Sequence, residues 1–173
     1  MYTKQTGLTF FALFTGSIFL ANYLITHVGY YCDPICVIPV WPGILAPSGV
    51  LVIGLSFTLR DLVQRWLGLR WTVAAVIIGA ALSAWLSPAL ALASGTAFLL
   101  SELLDLLVYT PLQERRLLAA VVASNVVGLV VDSVVFLLLA FGSLQFVEGQ
   151  IIGKLWMTAV AVLVIWWLRQ KSS

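Results

Sequence analysis

The sequence predicts an all-α integral membrane protein with six transmembrane helices, and three observations support that fold class. Of the 173 residues, 62% are hydrophobic, and the mean hydropathy is +1.08. Only 9% are charged, whereas about 25% of the residues in a soluble domain are charged. The apolar residues also fall into six long segments. We therefore expect a single domain, residues 1–173, that lies mainly within the bilayer.

The lengths of the six segments match the thickness of a membrane. A hydrocarbon core of about 30 Å requires about 20 apolar residues in a helix. Proline cannot continue a helix, so Ser87 and Pro88 predict a tight hairpin between the third and fourth segments. The first segment is longer than the apolar part of a signal peptide, and we expect it to be retained. The predicted spans are residues 7–26, 47–66, 71–86, 88–109, 117–141 and 149–168.

The basic residues set the predicted orientation, because short cytoplasmic loops are enriched in lysine and arginine. With six spans, all the basic residues except Lys154 fall on one side of the membrane, and the long first loop with Asp33 falls on the other. We therefore expect both termini in the cytoplasm and the protein in the inner, or plasma, membrane. The residues on the cytoplasmic side are Lys4, Arg60, Arg65, Arg70, Arg115, Arg116, Arg169 and Lys171.

Polar residues within the predicted spans form stripes on two helices. An ionisable group at bilayer depth costs about 2.5 to 3.5 kcal/mol on insertion scales, so it needs a partner, water or a ligand. In the fourth span, Glu102 and Asp105 lie about 60° apart around the helix axis. In the fifth span, Asn125 and Asp132 are seven residues apart and lie within about 20° of one another. Each helix is therefore predicted to present one polar face.

The depths of these residues predict which of them meet. A rise of about 1.5 Å per residue places Glu102 and Asn125 both about 10 Å from the cytoplasmic edge, and we expect them to lie side by side. Asp132 and Lys154 come at similar depths in the outer half, where they can form an ion pair. Asp105 is close to the inner interface, where we expect water to reach it.

Arg60 and Asp61 are adjacent in the second span, near its inner end. Because a long basic side chain can extend along a helix to the headgroups, we expect Arg60 to reach the membrane surface. Adjacent residues point about 100° apart, so both side chains cannot face the same surroundings. We expect Asp61 to cap a helix, to form a pair or to line a cavity.

The sequence contains no pattern of catalytic residues. A Ser-His-Asp set, an HExxH motif and a glycine-rich loop with a phosphate-binding lysine are all missing, so we predict a protein that is not an enzyme and needs no cofactor. Cys32 and Cys36, with a single histidine nearby, are a poor set of metal ligands. They are either a loop disulfide or two free thiols. His27 is expected to be a solvated residue at the outer mouth.

Two interpretations of the buried polar residues stay open at this point. Such residues can form hydrogen bonds between helices that fix the packing and bind nothing. They can also mark a functional site, which is their more common role in membrane helices.

Three stretches resemble the vitamin uptake transporter family, whose characterised branch imports queuosine precursors. They are FTLRDLVQRWLG (residues 57–68), ASGTAFLLSELLDLLVYTPL (residues 93–112) and SNVVGLVVDSVVFLLLAFG (residues 124–142). The resemblance implies a fold similar to the six-helix substrate-binding subunits of energy-coupling vitamin transporters. It also implies a 7-deazaguanine substrate, such as 7-cyano-7-deazaguanine or 7-aminomethyl-7-deazaguanine. The substrate-binding candidates that it implies are Asp61, Glu102, Asp105, Asn125 and Asp132.

The polar residues are chemically suited to such a substrate. A guanine-like edge offers an N–H and an exocyclic amine to a carboxylate, and its carbonyl oxygen needs a donor. We expect Glu102 to be the acceptor and the Asn125 amide to be the donor, with aromatic rings stacked on the flat substrate. The pair of Asp132 and Lys154 would then be a gate or a proton-responsive pair.

Three hypotheses on function follow from the sequence and the resemblance. The first is an importer of a queuosine precursor. The second is a substrate-binding subunit of a multi-subunit ATP-driven importer, and the third is a membrane scaffold that transports nothing. The partners we expect are a small deazapurine and the lipid bilayer, and not nucleic acid. Self-association and energising subunits stay open.

Overall fold

A computed structural model describes residues 2–33, 35–86 and 91–171. Within these residues the chain forms six long helices and one two-stranded hairpin. Their bounds are α1 Tyr2–His27, β1 Val37–Trp41, β2 Ile44–Pro47, α2 Val50–Leu67, α3 Leu69–Leu86, α4 Ala91–Leu112, α5 Leu117–Phe141 and α6 Val147–Lys171.

The helices coincide with the predicted spans to within a few residues at each end. Only Gly68 separates α2 from α3. Its φ of +85° is unfavourable for other residue types, and its N–H donates to the carbonyl oxygen of Gln64 at 2.8 Å. The predicted hairpin at Ser87 and Pro88 lies outside the described residues.

Five of the helices are long and apolar enough to cross a membrane: α1, α3, α4, α5 and α6. The protein is therefore an all-α membrane protein that crosses the bilayer several times, as the sequence predicts. The distribution of exposed side chains agrees with this, because Leu107, Ile77 and Leu163 are exposed whereas Arg60 and Glu102 are fully buried. A protein in water shows the opposite arrangement.

The helix α2 differs from the other five because it contains Arg60, Asp61 and Arg65 within 18 residues. It packs against the other helices of the bundle, above all α1 and α6. Ten of its residues are buried, including Arg60 and Asp61. Arg60 and Asp61 therefore face protein, and a sixth span formed by this central helix stays a prediction.

The β1–β2 hairpin was not predicted from the sequence, which indicated only a long loop. Its strands are antiparallel and meet at a turn in which Gly43 has a φ of +78°. The hairpin is held to the end of α1, because Ser48 Oγ donates to the carbonyl oxygen of Leu24 at 2.6 Å. Cys32 and Cys36 form a disulfide just before β1, which decides between the two alternatives for these residues.

Candidate functional site

A group of four buried charged residues lies between α2 and α4, and we call it the arginine cluster: Arg60, Asp61, Glu102 and Asp105. The guanidinium of Arg60 contacts all three carboxylates. Its Nε donates to Glu102 Oε2 at 2.7 Å, and its Nη1 donates to Asp61 Oδ1 at 2.6 Å. Its Nη2 forms an ion pair with Asp105 Oδ2. All four side chains are fully buried in the bundle.

Two expectations from the sequence are wrong at this cluster. Arg60 does not extend to the membrane surface, because Glu102 and Asp105 on α4 and its neighbour Asp61 hold it inside the bundle. Asp105 is fully buried and not solvated. A planar guanidinium has five donors, so inside the bundle it can bind several carboxylates at once. If Arg60 extended to the membrane surface, these carboxylates would have no cation.

The helix α5 closes the arginine cluster on a third side. Ser124 Oγ donates to Asp61 Oδ2 at 3.3 Å. Gly128 allows the close approach, because a Cβ at this position would lie only 3.1 Å from the Cβ of Asp105. On α4, the ring of Tyr109 lies 5.9 Å from Cζ of Arg60, a distance at which a cation is attracted to the ring face.

Asn125 forms hydrogen bonds with threonines of two other helices and does not pair with Glu102 as expected. Its amide nitrogen donates to Thr58 Oγ1 at 2.8 Å and to Thr158 Oγ1 at 3.2 Å. Glu102 instead binds Arg60, since a cation is a stronger partner for a carboxylate than an amide is. Among the described residues, Glu102 Oε1 and Asn125 Oδ1 have no hydrogen-bond partner, although both side chains are fully buried.

Lys154 and Asp132 form a second buried charged group between α5 and α6. Lys154 Nζ donates to Asp132 Oδ2 at 2.6 Å, to Gln150 Oε1 at 2.6 Å and to Ser133 Oγ at 2.8 Å. All three donors of the ammonium group are therefore used. The pairing of Lys154 with Asp132 is the one that their depths suggest. Gly54 on α2 lets α6 approach, since a Cβ there would lie 2.8 Å from Cα of Lys154.

A cavity of about 70 Å³ opens beside this pair at the hairpin end of the bundle. Every helix of the bundle contributes to its lining. Asp132 is the residue among the five substrate-binding candidates that reaches it, together with Lys154, and the remaining four lie deeper along the helices. The polar and aromatic lining residues are Asn22, Ser83, Ser94, Phe98, Asp132, Phe136, Gln150 and Lys154.

Several of these lining residues were not predicted from the sequence. Gln150 and Phe136 lie on the same helices as the predicted polar residues, at positions four residues from Lys154 and from Asp132. Their helical spacing could have indicated them. Ser83 and Ser94 hydrogen-bond to one another across α3 and α4, and small residues of this kind in membrane helices commonly serve only close helix packing.

The remaining sequence candidates lie away from both charged groups. His27 is exposed at the end of α1, where its ring stacks on Tyr23 with 4.6 Å between ring centroids.

Arg60 occupies the middle of the three clustered carboxylates, and the described residues contain no group of side chains that could hold a metal ion. The side chains of the two charged groups can form hydrogen bonds and ion pairs and can exchange protons.

The fold and these buried groups define a helical membrane protein in which six charged residues face the interior of the bundle. Residues 85–169, which include α4, α5 and most of α6, match a family model described as "Putative vitamin uptake transporter". This match agrees with the resemblance to the vitamin uptake transporter family found in the sequence. No curated protein and no solved structure matches the chain.

Proposed function

We propose that this protein imports a queuosine precursor, a 7-deazaguanine such as 7-cyano-7-deazaguanine or 7-aminomethyl-7-deazaguanine, across the inner membrane. The family match supports uptake of a small vitamin-like molecule. The resemblance of residues 57–68, 93–112 and 124–142 to the queuosine branch supports the deazaguanine. We further propose that both termini lie in the cytoplasm, so that the hairpin end of the bundle faces outward.

The observation that carries the proposal is the arrangement of Asp132, Lys154 and Gln150 at the cavity. Lys154 contacts only Oδ2 of Asp132, which leaves Oδ1 and a second lone pair on Oδ2 for a ligand. Because Lys154 has donors and no acceptor, the atom that Gln150 offers it must be Oε1, and the amide nitrogen of Gln150 is the donor that remains. The cavity thus has a carboxylate acceptor near an amide donor.

A guanine-like edge has the complementary pattern. Its N–H and exocyclic amine are donors, and the neighbouring carbonyl oxygen is an acceptor. We propose that Asp132 accepts from the two donors and that Gln150 donates to the carbonyl oxygen. Phe98 from α4 and Phe136 from α5 also line the cavity, and their rings are suited to a flat bicyclic ligand.

The size of the cavity indicates that the protein must open to bind. Pockets for small molecules have volumes of about 300 to 1,000 Å³, and this one has about 70 Å³. Pro47 at the end of β2 and Gly49 before α2 both line it. We propose that the β1–β2 hairpin moves away from α6 to admit the substrate and then covers it.

Queuosine in transfer RNA provides the test of this function. In a host that cannot make the precursor and lacks its own importer, we expect this gene to restore queuosine when the precursor is added outside the cell. The Asp132→Asn variant should fail, and Glu114→Gln, which alters an exposed carboxylate in the loop after α4, should restore queuosine like the wild type. No restoration by the wild-type protein present in the membrane would refute the proposed function.

Uptake of the precursor into liposomes separates an importer that works alone from a subunit of a larger transporter. Uptake by the purified protein alone supports a transporter that works by itself. Uptake that appears only after ATPase and coupling subunits are added supports the substrate-binding subunit instead. A membrane scaffold would give neither result.

A further inference from the structure

The arginine cluster has an imbalance of charge that the proposed substrate does not explain. If all four residues were ionised, three negative charges would face one positive charge and leave a net charge of −2. Arginine stays protonated in proteins, so only the carboxyl groups can change their charge. All four side chains have no exposure to solvent.

No other charge in the described bundle balances this excess. On α6, Lys154 is already neutralised by Asp132 of α5. On α2, Arg65 is exposed and donates to the carbonyl oxygen of Gln113. On α4, Tyr109 contributes a phenol that is neutral at pH 7. The basic residues of α1 and α3, Lys4, His27 and Arg70, are exposed near helix ends.

Unpartnered atoms at the arginine cluster point to the ligand that is missing. Glu102 Oε2 accepts from Arg60, but the second oxygen, Oε1, has no partner among the described residues, and neither has Asp105 Oδ1. The hydroxyl group of Tyr109 also has none, although its ring lies against Arg60 and its side chain is fully buried. A carboxylate oxygen that is buried without a partner is costly, and protonation lowers this cost because it removes the charge.

We propose that the arginine cluster is a proton-binding site, which holds at least one proton at neutral pH and releases it during transport. Glu102 is the residue that we assign to bind the proton, at Oε1. Protonation there removes one negative charge and keeps the hydrogen bond from Arg60 Nε to Oε2. Asp61 and Asp105 share the remaining charge with Arg60, because closely spaced carboxyl groups titrate together.

The helices that form this site also line the cavity, which gives a route for coupling. On α4, Phe98 of the cavity is four residues from Glu102, or about 6 Å along the helix axis. On α5, Asp132 of the cavity is on the same buried face as Gly128, which packs on Asp105. A movement of α4 or α5 that accompanies substrate binding therefore also alters the surroundings of the proton. This coupling rests on the proposed function.

Infrared spectroscopy of the reconstituted protein tests the proton site without any substrate. Protonated carboxyl groups have a carbonyl stretching band that carboxylates lack. We expect this band at neutral pH in the wild type, a smaller band in Glu102→Gln and an unchanged band in Glu114→Gln. The absence of the band in the wild type at neutral pH would overturn the proposal. If Glu102→Gln does not fold, the wild-type band decides, because Asp33, Glu114 and Glu148 are exposed.

Transport in liposomes tests the release of the proton. With a pH-sensitive dye inside, addition of 7-cyano-7-deazaguanine outside should acidify the interior, and an inward proton gradient should raise the uptake rate several-fold. A sodium gradient alone should not raise the uptake rate. Uptake that ignores the pH gradient and moves no protons would overturn this part of the proposal. If no uptake occurs, the proposed function fails, and the infrared band still decides whether the proton site exists.

Discussion

Replacing Asp132 and Lys154 together, as Asp132→Asn with Lys154→Gln, should restore most of the stability that either single replacement removes, but it should not restore ligand binding. Each single variant leaves one buried charge without its partner, a loss of about 3 to 5 kcal/mol. The double variant leaves no buried charge at this position. Melting temperatures of the four proteins in one detergent measure the coupling.

The affinity for 7-cyano-7-deazaguanine separates binding from stability in the same samples. An amide in place of the Asp132 carboxylate can oppose a ligand donor with a donor of its own. An unpaired buried donor costs about 1 to 3 kcal/mol, and about 1.4 kcal/mol corresponds to a tenfold change. We therefore expect the double variant to bind at least tenfold more weakly than the wild type. Additive losses of stability, or wild-type affinity in the double variant, would contradict this account.

Replacing Arg60 with glutamine should have the largest effect on stability of any single change in the protein. It removes the cation that contacts three buried carboxylates, Asp61, Glu102 and Asp105. Loss of one partner from a buried ion pair costs about 3 to 5 kcal/mol, and here three pairs are lost at once. We expect little folded protein in the membrane and a strongly lowered melting temperature for what can be purified.

Two matched variants show whether the effect comes from the cluster. Arg60→Lys keeps the charge but has no planar fork of donors, so its melting temperature should lie between those of Arg60→Gln and the wild type. Arg65→Gln removes an exposed arginine five residues further along α2 and should change the free energy of unfolding by no more than about 0.5 kcal/mol. Equal behaviour of Arg60→Gln and Arg65→Gln would mean that the arginine cluster does not stabilise the bundle.

The helices could be predicted from the sequence because the membrane imposes a length and a composition on them. The β1–β2 hairpin could not. Pro39 and Pro42 lie within or next to its strands, and proline in a short apolar run normally argues against a strand. The stability of this hairpin comes from its contacts with α1 and α6, which a local pattern does not reveal.

Within one helix, spacing correctly predicted which polar residues share a face. Between helices, only depth was available, and depth alone does not choose among partners. It suggested Lys154 with Asp132, whose helices are neighbours. It also suggested Glu102 with Asn125, but Arg60 is within reach of Glu102 and is the stronger partner. The reach of a long side chain from α2 to α4 depends on how the helices pack, and the sequence does not contain that directly.

The measurement that tests the central claim most directly is equilibrium binding of 7-cyano-7-deazaguanine to the purified wild-type protein, beside an analogue that lacks the exocyclic amine. The account predicts saturable binding of the first compound. It also predicts at least tenfold weaker binding of the analogue, because Asp132 then loses one of its two donors. No saturable binding, or equal affinity for the two compounds, would contradict recognition of a guanine-like edge at the cavity.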